Sequence, residues 1–524
     1  MVRSSLFKRL KRIDLFKQNS QNQQQDDQQK SSAKFTKEIT TNLDQNLASI
    51  KQMLGDPGDL VVREFLVGSL DSRAAIVYIS GLVDEDLISN NILKTIQSNL
   101  KDFDENVLDK IYKEVISITD IRKVQSLDDV SLAILNGSTA FYLENFDTVL
   151  VMGTNGGETR SIQQPESETL IRGPRDGFVE SIETNAALIR RDIKDPNLRL
   201  KSHVVGKRSK QKLVLCYIDG IVNPELVKEV NRRLETIDID YVSDSSYVEQ
   251  WIEDSFLSPF PQLMETERPD KVSLNLVRGK VAILVDGTPF AIIAPITLGD
   301  ALHSPEDYNQ RWITASLLRL LRYLSAFFAL FLPSLYIALV AYHPGMLPST
   351  LTYSIAATRE GVPFPAAIEA LIMAITFEIL HEAGIRLPKV IGQTIGIVGG
   401  LVIGEAAVSA GIVSPIMVIV TALTAIASFS VPSYSFALTL RTLRFAFMIA
   451  ASFLGLFGII LVYIMINIHI VNLKSLGIPY STPFSPTFSQ DWKDLVIRAP
   501  FSFVTRRPKF MKTKDEKAKD IKPE

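Results

Sequence analysis

The stretch FAFMIAASFLGLFGIILVYIMI, from Phe445 to Ile466, contains 22 residues and no charged side chain. A second stretch of this kind, YLSAFFALFLPSLYIALVA, covers the 19 residues from Tyr323 to Ala341. A helix needs about 20 apolar residues to cross the hydrocarbon core of a bilayer. Each stretch therefore predicts a transmembrane helix, and together they predict a membrane domain in the carboxyl-terminal half of the chain, at residues 311–472.

Five apolar segments are expected in this membrane domain, and the charges beside it set its orientation. Arg311, Arg319 and Arg322 precede the first segment, and the tail from Arg506 onward carries eight Lys or Arg residues against four Asp or Glu. By the positive-inside rule both flanks are cytoplasmic, which requires an even number of crossings. We therefore expect four crossings and one broken or re-entrant segment, either the third or the fourth. The approximate segment bounds are 323–342, 364–380, 390–412, 415–431 and 445–470.

The rest of the 524 residues differs from the membrane domain. The net charge of −2 and the mean hydropathy of +0.14 are averages that hide a charged region up to about residue 310. The first residues, MVRSSLFKRLKRIDLFK, are basic and contain no continuous apolar core, which is not typical of a signal peptide. The single cysteine, Cys216, excludes an intramolecular disulfide. We therefore expect the first 300 residues in the cytoplasm.

Residues 1–58 are expected to form a basic leader and a linker. The segment Gln18–Lys34, QNSQNQQQDDQQKSSAK, is polar and of low complexity. It cannot bury enough apolar surface to offset its ordering entropy, so we predict that it is disordered. The basic segment before it has apolar residues at roughly helical spacing, which indicates either a contact with anionic lipid or a partly disordered leader.

An internal repeat predicts the fold of the charged region. AAIVYISGLVDEDLISNNILKTI, Ala74–Ile96, is similar to KLVLCYIDGIVNPELVKEVNRRL, Lys212–Leu234, and each predicts a strand, a glycine turn and an amphipathic helix. Further along each copy, Asn136-Gly137 and Asp286-Gly287 predict the turns of two β-hairpins. The predicted fold class is therefore an α/β cytoplasmic region of two related lobes followed by an α-helical multi-pass membrane domain. The lobes are expected at 59–155 and 201–310, and a cytoplasmic tail at 473–524.

The region that connects the two lobes, residues 156–200, is rich in charges of both signs. One interpretation is an exposed helix with salt-bridged faces and a turn at GPRDG. The other is a surface for assembly or coupling, because the rigid fork of an arginine suits carboxylate partners at interfaces. The candidates for that role are Arg172, Arg175, Arg190 and Arg191.

The third apolar segment, IGQTIGIVGGLVIGEAAVSAGIVSP, combines a glycine stripe with an acidic side chain. Gly392, Gly396, Gly400 and Gly404 recur at every fourth residue, a spacing that lets two helices approach closely. Glu405 follows directly, and a carboxylate in an apolar segment is costly unless it faces a cavity or a partner. Glu405 is therefore a candidate for a cation pore, or for a position near the interface or against a neighbouring subunit.

The end of the second apolar segment, FEILHEAGIRLP, places Glu378, His381 and Glu382 within about one and a half helical turns. Such a cluster could begin a metal site, but no second histidine stands at ligand spacing, so we expect no metal and no cofactor. Arg386 and Pro388 instead predict the cytoplasmic end of a membrane helix. Glu378, one turn deeper, remains a candidate for facing the pore or a neighbour.

Signatures of enzymes and of nucleic-acid binding were not found in the sequence. It has no phosphate loop, no H-E-x-x-H pair and no nucleophile elbow. It also has no pattern of basic and aromatic residues of the kind that binds nucleic acid. We therefore expect neither an enzyme nor a nucleic-acid-binding protein.

Several long segments resemble the A subunit of the GerA-type spore germinant receptors. They include LVDGTPFAIIAPITLGD, QPESETLIRGPRDGF at Gln164–Phe178, and the run from FEILHEAGIRLP through the glycine stripe to SVPSYSFA. The resemblance extends from about residue 60 to residue 500. It leaves out the glutamine-rich leader and the end of the tail.

This resemblance implies a protein of the inner membrane of dormant spores, with cytoplasmic amino- and carboxyl-terminal regions. Its implied partners are a multi-pass B subunit that binds the nutrient germinant, a lipoprotein C subunit, and further copies of itself in a pentameric ring. The membrane helices of the ring would form a ligand-gated channel for monovalent cations, whose opening starts germination. Two alternatives stay open: a channel-like paralogue from the dipicolinate-release operon that amplifies germination, and a non-conducting scaffold for the B and C subunits.

Overall fold

The structure is a computed structural model that describes residues 38–67, 72–99, 107–116, 118–156, 164–165, 167–170, 172–386, 402–500 and 502–518. The chain forms two compact units, residues 1–56 with 60–156 and residues 57–59 with 157–524. The linker predicted at Gln18–Lys34 and the glycines Gly392, Gly396 and Gly400 lie outside the described residues.

The first unit is built on a five-stranded antiparallel sheet with the strand order β1-β2-β4-β5-β3. Alternate residues of these strands, such as Ile76, Phe141 and Leu150, are buried in one apolar core with residues of the helices between β2 and β3. The elements in chain order are α1 (Leu43–Leu54), β1 (Leu60–Val67), β2 (Ser72–Ile79), α2 (Glu85–Leu87, continued by the π-helical turn Ile88–Leu93 and by Lys94–Asn99), α3 (Val107–Lys110, continued by the π-helical turn Ile111–Val115), β3 (Ile121–Val124), α4 (Leu127–Leu135), β4 (Thr139–Leu143) and β5 (Val149–Met152).

The second unit begins with a second five-stranded antiparallel sheet, whose order β6-β7-β9-β10-β8 repeats that of the first. The α/β part of the predicted fold class is therefore present twice. Its elements are α5 (Ile182–Asp192), β6 (Leu198–Val205), β7 (Gln211–Ile218), α6 (Pro224–Glu235), α7 (Ser245–Ile252), β8 (Met264–Thr266), α8 (Pro269–Val277), β9 (Val281–Val285) and β10 (Ala291–Ala294).

The repeat starts earlier in the chain than the sequence predicted, at the helix before the first strand of each sheet. Asn46 in α1 uses its side-chain amide to bond both the N–H (2.9 Å) and the C=O (2.5 Å) of Thr40. Asn185 in α5 bonds the N–H (2.8 Å) and the C=O (2.6 Å) of Val179 in the same way. Helix α5, predicted as part of a connecting region, therefore begins the second copy and packs on the second sheet.

One of the two predicted hairpin turns is wrong. Asn136 caps the carboxyl end of α4, and Gly137 (φ 84°) follows it in a Schellman turn in which Ser138 N–H donates to Ala133 O at 3.0 Å. The Asn-Gly pair was misleading because a helix end and a hairpin both favour a residue with positive φ. Asp286-Gly287 does follow β9 and begins the loop of the β9–β10 hairpin.

The helical region follows the second sheet. By length and composition, two helices of the described residues could each cross a membrane: the helix at Trp312–Ala341 (30 residues) and the helical segment at Tyr434–Asn472 (39 residues). Residues 402–409 are also helical. The elements are α9 (Glu306–Asn309), α10 (Trp312–Ala341), α11 (Ser349–Arg359), α12 (Ala366–Arg386), α13 (Pro415–Phe429), α14 (Tyr434–Asn472), β11 (Lys474–Ser475) and β12 (Ile478–Pro479).

The apolar stretch Phe445–Ile466 forms part of a helical hairpin and not one continuous helix. Gly455 interrupts α14 with φ 58° and ψ −137°. The ring of Phe331 contacts both Phe447 and Tyr463, at centroid distances of 4.8 and 6.0 Å. In a straight helix these two residues would be about 24 Å apart. The chain therefore reverses at Gly455, which separates a first arm from an antiparallel second arm.

Both ends of this hairpin meet the second sheet lobe. Thr439, near the start of the first arm, donates a hydrogen bond to the carbonyl of Pro259. His469, near the end of the second arm, has its Nε2 2.9 Å from Ser258 Oγ. The ring of Phe260 lies between them, 6.3 Å from Phe436 and 6.1 Å from the imidazole of His469. The sheet lobe and the base of the hairpin consequently share one apolar core.

Candidate functional site

Five side chains join the second sheet lobe, the first long helix and the tail, and we call them the junction cluster. Arg278 caps the carboxyl end of α8, Asp307 and Tyr308 belong to α9, Arg319 lies in the first turns of α10, and Asp494 lies in a 3-10 turn of the tail. Because α8, α9, α10 and the tail each contribute a charged group or a hydroxyl, the cluster links their positions.

Asp307 and Arg319 form the centre of the junction cluster, and both side chains are completely buried. Arg319 donates from Nε to Asp307 Oδ2 and from Nη1 to Asp494 Oδ1, each at 2.8 Å. The second oxygen of Asp307 accepts from Arg322 Nη1 at 2.7 Å. Buried charges are stable only when paired and hydrogen-bonded, and both conditions are met here.

Tyr308 connects the two arginines to the tail. Its hydroxyl donates to Asp494 Oδ2 at 2.7 Å and accepts from Arg278 Nη2 at 2.6 Å and Arg319 Nη2 at 3.1 Å. Its ring lies 4.9 Å from the Arg278 guanidinium, a cation–π distance. Burial would raise the pKa of Asp494, but the guanidinium groups of Arg278 and Arg319 outweigh it and hold that pKa below its ordinary value. Asp494 is therefore ionised at neutral pH.

A cavity of about 520 Å³ lies beside the junction cluster, between the second sheet lobe and the tail. Arg278, Asp300, His303 and Tyr308 are among its lining residues. Burial lowers the pKa of His303 to about 4, so the imidazole is neutral at physiological pH. His303 Nε2 lies 2.8 Å from the carbonyl of Leu495, which can only accept, so Nε2 carries the proton. This hydrogen bond joins the segment before α9 to the tail.

Within the helical bundle, Glu378 is paired with two arginines of the hairpin's first arm. Its Oε1 accepts from Arg441 at 3.2 Å and its Oε2 from Arg444 at 3.3 Å. The sequence retained Glu378 as a candidate for facing the pore or a neighbour. In the structure Glu378 belongs to a three-charge cluster with a net charge of +1, which holds α12 against α14.

A second carboxylate of α12, Glu369, was not among the residues that the sequence singled out. It is completely buried, and its Oε1 accepts hydrogen bonds from the backbone N–H (2.6 Å) and the hydroxyl of Ser414, the N-cap of α13. Its Oε2 is 3.4 Å from Arg359 Nε of α11. The signal that could have found it is the one used for Glu405, an acidic residue in an apolar segment.

The described part of the glycine stripe consists of Gly404, followed by Glu405. Gly404 is buried, and a Cβ added there would lie 3.2 Å from Val418 Cγ1 of α13, which is a close helix contact. Glu405 is exposed. Within this chain it therefore remains available to solvent, to a partner or to another copy.

The four arginines proposed for assembly are not brought together. Arg190 is buried, donating from Nε (2.8 Å) and Nη2 (3.0 Å) to the carboxylate of Asp59, so its fork is already occupied within the chain. Arg172 and Arg175 are exposed and Arg191 is partly buried. The connecting region 156–200, for which an exposed helix was one interpretation, does contain a helix, α5 at Ile182–Asp192, but most of its residues are buried. The described residues of 164–180 are not helical.

The cluster in FEILHEAGIRLP is likewise divided among different partners. The His381 ring lies 5.1 Å from the ring of Phe429 at the end of α13, and Glu382 accepts from Arg386 Nε at 2.8 Å on the helix surface. With Glu378 bound to the hairpin, the three side chains do not converge. The described part of the stretch, up to Arg386, is helical.

The geometry can now be compared with known proteins. The sequence profile of the family described as Bacillus/Clostridium GerA spore germination protein matches residues 48–510, which include both sheets, the helical region and the junction cluster. The chain belongs to the GerA family. The family resemblance stated from the sequence is therefore confirmed.

Among GerA-family relatives, spore germination protein GerLA of Bacillus cereus is 48% identical over 478 residues, which cover 91% of this chain and 97% of that protein. Spore germination protein KA of Bacillus subtilis (strain 168) is 42% identical over 489 residues, covering 93% and 90%. The crystal structure of the N-terminal domain of the A subunit of the Bacillus megaterium spore germinant receptor GerK3 is 35% identical. It covers 50% of this chain and 98% of that chain, with a TM-score of 0.41.

Proposed function

We propose that this chain is the A subunit of a nutrient germinant receptor in the inner membrane of the spore. Copies of it assemble into a ring, of five subunits, whose membrane helices form a ligand-gated channel for monovalent cations. The ring works with a multi-pass B subunit and a lipoprotein C subunit. The observation that carries the proposal is the family match over residues 48–510, which spans the sheet lobes and the apolar helices together.

The hairpin supports a multi-pass topology with six crossings in place of the four expected from the sequence, because it divides the fifth apolar segment into two arms. Helix α10 leads out, α12 leads back, α13 leads inward, and the two arms of α14 lead out and back, which gives five crossings among the described helices. A sixth crossing, between α12 and α13, is part of the proposal. The contacts at the two ends of the hairpin agree with this count. The turn at Gly455 lies beside Tyr342 at the end of α10, while the ring of Phe260 in the sheet lobe lies between the two bases of the hairpin. Six is even, so the sheet lobe and the tail lie on one side, as the positive charges require.

The junction cluster supplies a route from the sheet lobe to the pore. Because Asp307 and Arg319 are buried and Arg319 also pairs with Asp494 of the tail, α10 cannot move away from the lobe without exposing an uncompensated charge. A displacement of the lobe by a partner subunit is therefore transmitted to α10 and to the hairpin that packs on it. A germinant can shift the closed and open states only through different affinities for the two.

Glu405 is the pore candidate that the contacts favour over Glu378. Glu378 is neutralised by two arginines, whereas Glu405 is exposed on a helical segment whose other side contacts α13. A ring of such carboxylates attracts cations. Gly392, Gly396 and Gly400 remain predicted helix contacts, and Arg172, Arg175 and Arg191 remain predicted assembly residues.

The test is the flux of K⁺ from liposomes that contain the purified A, B and C subunits. We expect germinant to release K⁺ only when all three are present. Absence of flux at every germinant concentration, with assembly verified by cross-linking, would favour the scaffold. Genes for B and C subunits beside the gene for this chain would distinguish the receptor subunit from the amplifying paralogue.

A further inference from the structure

Two large apolar side chains at the edge of the second sheet lobe are almost fully exposed. Phe256 is 86% and Leu257 80% exposed, the two largest values among the large apolar side chains that the structure describes. They occupy the middle of a tight turn in which Ser258 N–H donates to Ser255 O at 3.3 Å. We call residues 255–259 the tip loop.

The tip loop is held firmly by the lobe. The buried Gln262 accepts from the N–H groups of Asp254 and Ser255, each at 2.9 Å, and donates to the carbonyl of Ser255 at 2.6 Å. Asp254 itself is paired with Arg233 at 2.7 Å. The backbone and the nearby charge therefore have their partners inside the chain, and the tip presents apolar surface.

The position of the tip loop indicates what covers it. Ser258 and Pro259 bond His469 and Thr439, which lie at the bases of the two hairpin arms. On the second arm the neighbouring outward side chains are Ile468 (58% exposed) and Val471 (49%), so apolar surface continues from the hairpin toward the tip loop. The segments that span a bilayer expose such surface to lipid, and Phe and Leu are side chains with which peripheral segments insert into the interface.

We propose that Phe256 and Leu257 insert into the cytoplasmic interface of the bilayer and anchor the second sheet lobe to the lipid. The inference rests on the multi-pass topology proposed above. A lipid surface fits better than a protein partner because the tip consists of two almost fully exposed apolar side chains, and the polar side chains beside it, Asp254 and Ser258, already have partners within the chain. The second sheet lobe is then held at two points, the junction cluster and the tip loop. These two points fix the angle of the lobe relative to the membrane surface.

The chain allows a direct test, because its single cysteine, Cys216, is completely buried. A nitroxide is attached to Phe256→Cys in the full chain in liposomes of phosphatidylcholine and phosphatidylglycerol, and its accessibility to O₂ and to a water-soluble Ni²⁺ chelate is measured. Val204→Cys is the aqueous control, since Val204 is 62% exposed on the edge strand β6, at the opposite end of the sheet from β8. Ile464→Cys, 52% exposed on the second arm, is the lipid control.

We expect the label at position 256 to behave like that at 464, with O₂ accessibility several times the chelate accessibility, and the label at 204 to show the reverse. A label at 256 that the chelate reaches as readily as at 204 overturns the proposal. A label at 256 that neither reagent reaches also overturns it, in favour of a protein partner or a second copy. Chelate access at 464 would instead show that the multi-pass topology has failed.

Discussion

Asp307 and Arg319 are both completely buried, and the Oδ2 of one lies 2.8 Å from the Nε of the other. The pair joins the segment that leaves the second sheet lobe to the first turns of α10. A buried ion pair contributes little net stability, but losing one partner leaves a charge without compensation. The pair therefore acts mainly as a constraint on how the lobe and the helix can move.

Replacing Asp307 by asparagine tests this constraint. Asp307→Asn leaves Arg319 and Arg322 facing an uncharged amide, and we expect the free energy of unfolding to fall by about 3–5 kcal/mol. Thermal unfolding of the purified protein in detergent measures the loss as a lower Tm. Glu306→Gln is the matched control, because Glu306 is only partly buried and bonds Gln310. Equal Tm values for the two variants would show that the junction cluster does not constrain the sheet lobe and α10.

The buried imidazole of His303 predicts a dependence of stability on pH. Its folded pKa of about 4 lies below the ordinary value of 6.5, so the unfolded chain takes up the proton first as the pH falls. The stabilisation is complete above pH 6.5 and is lost as the pH falls toward 4. We expect Tm to decrease between pH 6.5 and pH 4.5. In His303→Gln we expect the decrease in Tm over this range to be smaller. A decrease of the same size in His303→Gln would contradict the assignment.

The hairpin predicts that a side chain at Gly455 is not tolerated. Its φ of 58° with ψ of −137° is a glycine conformation, and an added Cβ would lie 3.0 Å from Cβ of Tyr342. We expect Gly455→Ala to cost about 1–3 kcal/mol from backbone strain, with a further steric penalty. Gly345→Ala is the control, since no atom lies within 4 Å of a Cβ added there. If Gly455→Ala raised Tm, as expected for a continuous helix, the hairpin would be wrong.

The pairing of Glu378 with Arg441 and Arg444 predicts that removing its charge costs more stability than removing the charge of Glu382, one turn along the same helix. Glu378→Gln leaves two arginines unpaired between α12 and the hairpin. Because the Glu378 side chain is 34% exposed, we expect a moderate loss of about 1–3 kcal/mol. Glu382→Gln removes only a surface pair with Arg386 and should change stability by less than about 0.5 kcal/mol. Thermal unfolding of both variants is the measurement, and a larger loss for Glu382→Gln would refute the interpretation.

The sequence predicted those parts of the fold that local patterns determine. The strand–glycine–helix repeat identified both lobes, and the charge-free runs identified the helical region. The reversal at Gly455 was missed because the run on both sides of it, Phe445–Ile466, carries no charge, so composition does not distinguish one long helix from two short ones. The Asn136-Gly137 turn was misassigned because the same two residues can end a helix.

The site was harder to predict because its partners are far apart in the chain. The sequence indicated a surface position for Arg190, because its partner Asp59 lies 131 positions earlier and the pairing could not be foreseen. Arg319 was used only to orient the membrane domain, since Asp494, one of its two carboxylate partners, lies 175 positions later. Charge alone predicts that an arginine needs a carboxylate. Only the packing of the sheet lobe, α10 and the tail decides which carboxylate it is.

The central claim, that copies of this chain form a cation channel, is tested most directly by the current that germinant evokes in planar bilayers containing the A, B and C subunits. The reversal potential in a KCl gradient should show selectivity for K⁺ over Cl⁻, and Glu405→Gln should shift it toward zero while Glu382→Gln leaves it unchanged. A complete absence of current from verified assemblies would contradict the channel, and an unaltered reversal potential in Glu405→Gln would remove Glu405 from the pore.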